Sequence, residues 1–513
     1  MFLRLTLLIA GLCAACAHQP EPAGPPYDVV EKSVAELQAD MASGRTSSLQ
    51  LVAAYAARIE LLDRRGPALN AVLARNPHAE SEARQLDAER RAGRLRGPLH
   101  GIPILLKDNI ESKELPTTAG SLALADNRTG RDAPLVARLR AAGAVVLGKT
   151  NLSEWANFRS HYATSAWSAL GGLTKNPYDL ERNPCGSSSG SGAAVAASLA
   201  ALAVGTETDG SITCPASVLG LVGLKPTLGL VSRTRIIPIS AMQDTAGPMA
   251  RTVTDAAVLL RALAGSDPED AATAQADAQL RDYVALLAKH ALAGRKLGVL
   301  KAKTGYLPQV DALFGAALVQ LRAAGAELVM IEAVPDVSAI EERELRVLLG
   351  DFREQIDAYL ASTAPAVRVR SLDELIAFNS AEAARELVYF GQDLFVQAQA
   401  TANADPQLGE SNRKAATDIL DALLAEHGVD ALLAPTLSPA WKTDVVNGDH
   451  VLGSVSMLPA VAGYPHLTVP MGQVAGLPVG LSFIGPAWSD ATLLAFGYAY
   501  EQRTRLRKPP RLR

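Results

Sequence analysis

Hydrophobic patterns typical of strands and of helices alternate along the first half of the chain. Residues 99–106 form a short apolar run with β-branched positions, which predicts a strand, and residues 144–149 predict a second one. Residues 134–142 lie between them and have the spacing of a helix. The alternation continues as far as Arg261 and predicts an α/β fold, in which helices cover a mixed central β-sheet on both faces.

The pattern becomes more charged and more helical over residues 265–428. We interpret this segment as a helical insertion in a single catalytic domain that spans residues 27–513. Strand-like runs at 297–300 and 327–331 interrupt the helical pattern. Three later apolar runs are predicted to rejoin the sheet, at 430–435, 466–469 and 478–485.

The stretch 185–215 contains two small-residue loops with one apolar segment between them. Residues 193–204 are rich in Ala, are apolar on every side and contain no Pro or Gly, which predicts a buried helix. The loops before and after it are rich in Gly and Ser. Because glycine lets a backbone approach a ligand closely, we expect backbone amides of both loops to meet around a cleft.

The first 26 residues are predicted to lie outside the folded domain. Residues 1–17 combine an early positive charge, a short apolar run and a small-residue cleavage site, the pattern of a secretory signal peptide. Cys16 leaves a lipid anchor open as an alternative. Residues 18–26 are rich in Pro and predict an extended linker. We therefore expect an exported protein that is periplasmic or secreted, or a membrane-anchored lipoprotein.

Charge and the spacing of metal-binding residue types argue against two classes of partner. The chain has 49 Lys and Arg against 53 Asp and Glu, with no dense basic cluster, so a nucleic-acid partner is not expected. The eight histidines are scattered, and only Cys185 and Cys214 lie in the body of the chain, so we expect no metal site. The sequence does not indicate an oligomeric state.

Three separated motifs resemble the amidase signature family of serine hydrolases. They are Gly-Ile-Pro-Ile-Leu-Leu-Lys-Asp-Asn at 101–109, Gly-Ser-Ser-Ser-Gly-Ser-Gly at 186–192 and Thr-Asp-Gly-Ser-Ile at 208–212. Flanking pieces agree, such as Gly-Leu-Val-Gly-Leu-Lys-Pro-Thr at 220–227. The resemblance extends from about Glu31 to Glu501 and implies a single α/β domain.

The resemblance implies a Ser–Ser–Lys triad. Ser211 matches the nucleophile, Lys107 matches the base, and Ser187 matches the bridging serine, which the family holds in a cis peptide. A serine needs a base to take its proton, and a lysine can serve only when burial keeps it neutral. The matching oxyanion hole consists of backbone N–H groups, those of Thr208, Asp209, Gly210 and Ser211.

The family resemblance also implies the reaction, hydrolysis of a carboxamide to an acid and ammonia without a cofactor. The sequences around Ser187 and Ser211 are most similar to the bacterial peptide amidase branch, which implies short peptides with a C-terminal amide as substrates. A general amidase for small aliphatic or aryl amides is one alternative. An ammonia-generating component of an amidotransferase complex is another.

Several positions depart from the family pattern. Asp209 and Gly210 stand where the family usually has two glycines, Glu207 stands where it has an Asp, Thr213 where an Arg is common, and Cys185 where a Gly is usual. The oxyanion amides should survive these changes because they are backbone groups.

Two other motifs are weighed as alternatives. Residues 186–190 fit the Gly-x-Ser-x-Gly nucleophile elbow centred on Ser188, but turn residues rather than a strand precede them. Residues 411–414 fit Ser-x-x-Lys on a polar helix without its companion motifs. Cys185 and Cys214 lie two and three residues from Ser187 and Ser211 and could be near each other, and their pairing is left open.

Overall fold

Thirteen strands are present in the part of the chain that the computed structural model describes, residues 27–402 and 404–512. The predicted signal peptide and linker, 1–17 and 18–26, lie outside the described residues. The strands are β1 (Val72–Arg75), β2 (Pro103–Lys107), β3 (Val145–Thr150), β4 (Trp167–Ser168), β5 (Gly172–Leu173), β6 (Leu202–Glu207), β7 (Val222–Lys225), β8 (Thr245–Ala250), β9 (Lys296–Leu300), β10 (Glu327–Ile331), β11 (Ala431–Pro435), β12 (His466–Val474) and β13 (Leu477–Ile484).

Eleven of these strands form one mixed sheet in the order β1-β3-β2-β6-β8-β7-β12-β13-β11-β9-β10. Strands β3, β2 and β6 are parallel neighbours, and so are β11, β9 and β10 at the other end. The strands between these two groups pair antiparallel. Most of the central strands are buried along their whole length, because both faces of the sheet are covered.

Helices flank this sheet along its length. The helices are α1 (Val34–Ala42), α2 (Ser48–Arg58), α3 (Ala79–Arg91), α4 (Pro134–Ala141), α5 (Ser189–Ala196), α6 (Thr213–Val218), α7 (Val253–Leu263), α8 (Ala276–Gln279), α9 (Pro308–Ala323), α10 (Ser338–Ala361), α11 (Leu372–Ala381), α12 (Ala383–Glu386), α13 (Asp393–Ala400), α14 (Pro406–Glu426), α15 (Met457–Ala462) and α16 (Asp490–Thr504), with a π-helical turn at Ile59–Arg64 and 3₁₀ turns at Leu122–Leu124, Glu154–Asn157, Ala271–Gln275 and Lys301–Lys303. Helix α5 packs on β6, β2 and β3, which include the strands that end near the small-residue loops. Helix α6 packs on β7, β12 and β13, and α7, α9 and α16 also pack on strands of this sheet. The predicted α/β class with a mixed, helix-covered sheet is confirmed.

The prediction of one buried helix over residues 193–204 is wrong from Ala197 onward. Helix α5 ends at Ala196, the backbone turns at Ser198 with φ +54°, and strand β6 begins at Leu202. A segment that is apolar on every side fits a buried helix and a doubly covered strand equally well, so its periodicity could not separate them.

The segment 265–428 supplies both helices and two edge strands. Strands β9 and β10 extend the sheet beyond β11, and helices α10, α11 and α13 build a second hydrophobic cluster. That cluster contains Phe352 and Phe395, whose rings stack 5.2 Å apart, and it packs against the loops at Trp155 and Ile237. These helices therefore cover loops next to the candidate site, and the division of the chain at 265 and 428 stays a prediction. Among the helices described, we find none with the length and apolarity needed to span a bilayer.

Candidate active site

Two neighbouring parallel strands bring the three predicted catalytic side chains to one edge of the sheet. Lys107 is the last residue of β2, and Ser211 follows the end of β6, which pairs with β2 from Ile104 to Leu106. Ser187 lies in the loop that enters α5, and α5 packs against both strands. Parallel neighbours end at the same edge of a sheet, which is why residues far apart in the sequence meet here.

Lys107, Ser187 and Ser211 form a continuous chain of hydrogen bonds. The Lys107 Nζ donates to the Ser187 Oγ at 2.7 Å, and the Ser187 Oγ is 2.9 Å from the Ser211 Oγ. Each hydroxyl can donate or accept, so the chain can carry a proton in either direction. Lys107 and Ser187 are fully buried, whereas Ser211 retains 8% of its surface exposed. The geometry thus leaves only the outermost member of the chain open to a substrate.

Burial lowers the pKa of Lys107 to about 7, against the opposing influence of Asp244 and Glu207. The Nζ also contacts the Thr206 Oγ1 at 2.8 Å and the Thr206 carbonyl oxygen at 3.2 Å. A lysine with this pKa is half neutral at neutral pH, and a neutral amine can accept a proton.

The two small-residue loops meet at Ser187 and Ser211, as predicted. The Gly186–Ser187 peptide bond is cis, and the Ser188 N–H donates to the Ser211 carbonyl at 3.2 Å. A disulfide between Cys185 and Cys214, with 6.0 Å between their Cα atoms, joins the same loops covalently. The pairing that the sequence left open is therefore present.

Glu207 and Asp244 hold the turn that carries the nucleophile. The Glu207 Oε2 accepts from the N–H groups of Ile212 and Thr213 at 2.7 and 2.9 Å, and the Thr208 hydroxyl donates to Asp244 at 2.5 Å. Both ends of the turn are therefore fixed by a carboxylate.

Amides predicted for the oxyanion hole are available to a ligand. In the described part of the chain, the N–H groups of Asp209, Gly210 and Ser211 have no hydrogen-bond acceptor. Such unpaired donors beside a nucleophile suit a developing oxyanion.

Two cavities open on the two sides of this turn. The first, of about 210 Å³, is lined by Thr206 and Thr208, by Asp244 and by the apolar residues Ile236–Ile239. The second, of about 230 Å³, is lined by Asp209, Ser456 and residues of α10 and α14. Adjacent residues of the turn therefore face different cavities.

The competing motifs do not form catalytic arrangements. Ser188 is buried, and its hydroxyl donates to the Thr206 carbonyl at 3.0 Å and accepts from the Thr206 N–H at 3.2 Å, so it fixes the end of β6. Residues 411–414 lie on α14, where Lys414 pairs with Asp418 on an exposed surface. The described residues contain no group of three or more His, Cys, Asp or Glu that could hold a metal ion.

Some contributors to the site were missed from the sequence. Thr206, which contacts the base, lies two residues before the recognised motif at 208–212 and could have been found there. Gln243 and Glu344 had no such signal: the Gln243 Nε2 donates to the Thr208 carbonyl at 3.2 Å and to the Glu344 Oε1 at 2.7 Å. Glu344 is far from the nucleophile in the sequence, and only the fold brings it close.

Comparison with known proteins decides the family. Residues 50–494 match the family model described as Amidase. The chain belongs to the amidase family. Its members include a probable amidase of Arabidopsis thaliana, which is 39% identical over 94% of this chain and 92% of its own length. This amidase is therefore a hydrolase that acts on C–N amide bonds, and the predicted enzyme class is confirmed.

Other relatives resemble this amidase over nearly its whole length. The native peptide amidase of Stenotrophomonas maltophilia, a solved structure, is 52% identical, with a TM-score of 0.90, over 94% of this chain and 99% of its own. A glutamyl-tRNA(Gln) amidotransferase subunit of Salinispora arenicola is 36% identical over 94% of this chain and 100% of its own length. Both relatives match this amidase over nearly its whole length, and the peptide amidase has the higher sequence identity.

Proposed function

We propose that this amidase hydrolyses the C-terminal carboxamide of peptides to an acid and ammonia, with Ser211 as nucleophile, Ser187 as proton relay and Lys107 as base. The hydrogen-bond chain from Lys107 through Ser187 to Ser211 carries the proposal. Ser211 is the exposed end of that chain and lies beside unpaired backbone N–H groups of the described residues, whereas Lys107 is its buried end.

In the proposed reaction, the Ser211 Oγ attacks the amide carbonyl carbon while its proton moves to the Ser187 Oγ. The Ser187 proton moves in turn to the neutral Lys107 amine. The N–H groups of Asp209, Gly210 and Ser211 stabilise the oxyanion. The relay then returns a proton to the amide nitrogen, the C–N bond breaks and ammonia leaves. Water attacks the acyl-enzyme ester with the same relay and regenerates Ser211.

Two observations support peptide amides as the substrates. The 52% identity to a solved peptide amidase is much higher than the 36% identity to the amidotransferase relative. The cavities beside Thr208 and Asp209 also provide room for groups other than the reacting amide. Binding of such remote groups can lower the barrier of the chemical step itself, so small amides that lack them should react slowly.

Ammonia release from a panel of amides tests this proposal. Amidated di- or tripeptides should exceed acetamide and propionamide in kcat/KM by well over tenfold, a difference of more than about 1.4 kcal/mol. Internal peptide bonds and the side-chain amides of Asn and Gln should remain intact. Equal turnover of small amides and amidated peptides would identify a general amidase instead.

An ammonia-generating component of an amidotransferase complex is the second candidate, because the amidotransferase relative also matches 94% of this chain. An activity assay of the purified single chain distinguishes the two candidate functions. Under our proposal it hydrolyses simple peptide amides with no partner present, whereas a component of that kind requires its complex for full activity.

We also propose that the protein is exported by its first 17 residues, as a periplasmic, secreted or Cys16-anchored form. The support is the sequence pattern described above. Mass spectrometry of the mature N-terminus tests it: an intact Met1 would contradict export, and a lipid-modified Cys16 would identify the anchored form.

A further inference from the structure

The second cavity begins beside the nucleophile. Asp209, two residues before Ser211, lines it together with Ser456. The Ser456 Oγ is also next to Gly210, only 3.1 Å from where a Cβ on that glycine would stand. Two residues of chain span at most about 7 Å, so the cavity is within reach of a side chain on a substrate bound at Ser211.

Three carboxylates face this cavity, those of Asp209, Glu341 and Glu344. Asp209 and Glu341 are exposed, whereas Glu344 is 8% exposed. The Glu344 Oε1 accepts from Gln243, and no donor in the described chain reaches its Oε2. Glu344 is thus a buried acid with a free oxygen on a cavity wall, an arrangement that costs free energy unless a partner arrives.

No cation of the described residues pairs with these acids within 4.0 Å. Burial raises the pKa of Glu344 to about 8, and the negative charges of Asp209 and Glu341 add to this effect. The charge of Lys225, which is fully buried, lowers the pKa of Asp209. Lys303 lies on the cavity wall and has no ion pair in the described chain. At a pH above about 8, where Glu344 is ionised, the charge on the cavity wall is therefore mainly negative.

Most of the remaining wall is apolar. It is formed by Leu300, Val334, Val337, Leu420, Leu423 and Ile484, among others. A cavity with carboxylates and aliphatic walls matches a side chain that has a hydrocarbon stem and a cationic end. At about 230 Å³ it can hold one such side chain.

We infer that this cavity binds the basic side chain, Lys or Arg, of an amide substrate. This inference rests on the proposed function, and it narrows the substrate class to amides with a basic residue near the scissile bond. The cation would pair with Glu344 and Asp209, while its stem would pack on the aliphatic wall.

Matched peptide amides test the inference. N-acetyl-Ala-Lys-amide is compared with N-acetyl-Ala-norleucine-amide, and N-acetyl-Lys-Ala-amide with N-acetyl-norleucine-Ala-amide. The assay is run at pH 9, where a carboxyl with a pKa of about 8 is ionised and lysine is still charged. In at least one pair, the lysine peptide should exceed its neutral partner at least tenfold in kcat/KM. Ratios near one in both pairs would overturn the inference.

The substitution Glu344→Gln should lower that ratio to about threefold or less, and Gln can still accept the hydrogen bond from Gln243. Glu342→Gln is the matched control, since Glu342 is exposed on the same helix and does not line the cavity. If Glu344→Gln does not fold, Glu341→Gln at an exposed position provides the second variant and should also lower the ratio. An unchanged ratio in a folded Glu344→Gln variant would overturn the assignment.

A probe that is not a substrate separates this inference from the proposed function. n-Butylammonium should inhibit hydrolysis of a neutral amide competitively and at least tenfold more strongly than n-butanol, with the difference reduced in Glu344→Gln. If propionamide is hydrolysed and peptide amides are not, the proposed substrate class fails, and the butylammonium result still decides the cavity. Equal inhibition by the amine and the alcohol would overturn the cation site.

Discussion

The pH dependence of kcat/KM should report the ionisation of Lys107. If Lys107 is the base, only its neutral form is active, so activity must rise with pH through its pKa of about 7. Below about pH 6 the rate should increase roughly tenfold per pH unit, and above about pH 8 it should level off. With an ordinary pKa of about 10.4, only about one lysine in 2,500 would be neutral at pH 7, so burial contributes on the order of 10³-fold.

Thr206→Val identifies the titrating group. The substitution removes the hydroxyl that accepts from the Lys107 Nζ at 2.8 Å while keeping the shape of the side chain. Hydrogen bonds to charged donors are worth about 1 kcal/mol more than those to neutral ones, so losing this bond disfavours the ammonium. The midpoint of the profile should therefore move down by about 0.7 pH unit.

Thr206→Ser is the control, because it keeps the oxygen and should keep the midpoint. The profiles are measured from about pH 5 to pH 9 with one neutral amide, and thermal unfolding confirms that each variant is folded. A wild-type midpoint near 10, or no midpoint between about 6 and 8, would refute the idea that burial prepares Lys107 as the base. An equal midpoint in wild type and Thr206→Val would show that another group titrates.

Three further changes address the nucleophile, its turn and the disulfide. Ser211→Ala should lower ammonia release by at least about 10³-fold with an unchanged melting temperature, and a serine-directed fluorophosphonate should label wild type but not this variant. Labelling at Ser188 would contradict the assignment. Ser411→Ala on the exposed α14 surface is the neutral control. Glu207→Gln should lower kcat/KM by roughly tenfold or more, because Glu207 accepts from the Ile212 and Thr213 N–H groups in charge-assisted bonds. The midpoint of the pH profile should also fall, because Glu207 raises the pKa of Lys107. A rise in the midpoint would contradict this. Thiol counting on unreduced, unfolded protein should find no free Cys185 or Cys214, and finding both thiols free would exclude the bond. Replacing both cysteines with Ala should lower the free energy of unfolding by about 3–4 kcal/mol, since the bond closes a loop with a sequence separation of 29.

The contributors to the site that local patterns contain were predictable from the sequence. Lys107 ends one apolar run of the sequence and Ser211 follows another, and in the structure these runs end in the parallel strands β2 and β6. The meeting of the two small-residue loops followed from the same spacing, and the structure brings Ser187 and Ser211 to 2.9 Å.

What depends on tertiary packing could not be predicted. The apolar segment before Ser211 contains both the end of α5 and the first residues of β6, because burial on every side removes the periodicity that separates them. The acids of the second cavity come from Asp209 on the turn and Glu344 on α10, and no local pattern relates these positions. Their proximity results from the packing of α10 beside the core, which neither the apolar periodicity of that helix nor the motif spacing encodes.

The acids around the nucleophile have a structural and an electrostatic effect at the same time. Asp244 accepts from the Thr208 hydroxyl and from the N–H groups of Ile239 and Ser240, so it fixes the turn and the loop beside the first cavity. Asp244 and Glu207 also raise the pKa of Lys107 against the larger effect of burial. Without their charges, burial alone would hold the pKa of the base below neutrality, where it accepts protons poorly. The same two carboxylates that orient the backbone of the nucleophile therefore keep the pKa of the base near 7, so neutralising either should disturb both geometry and proton transfer.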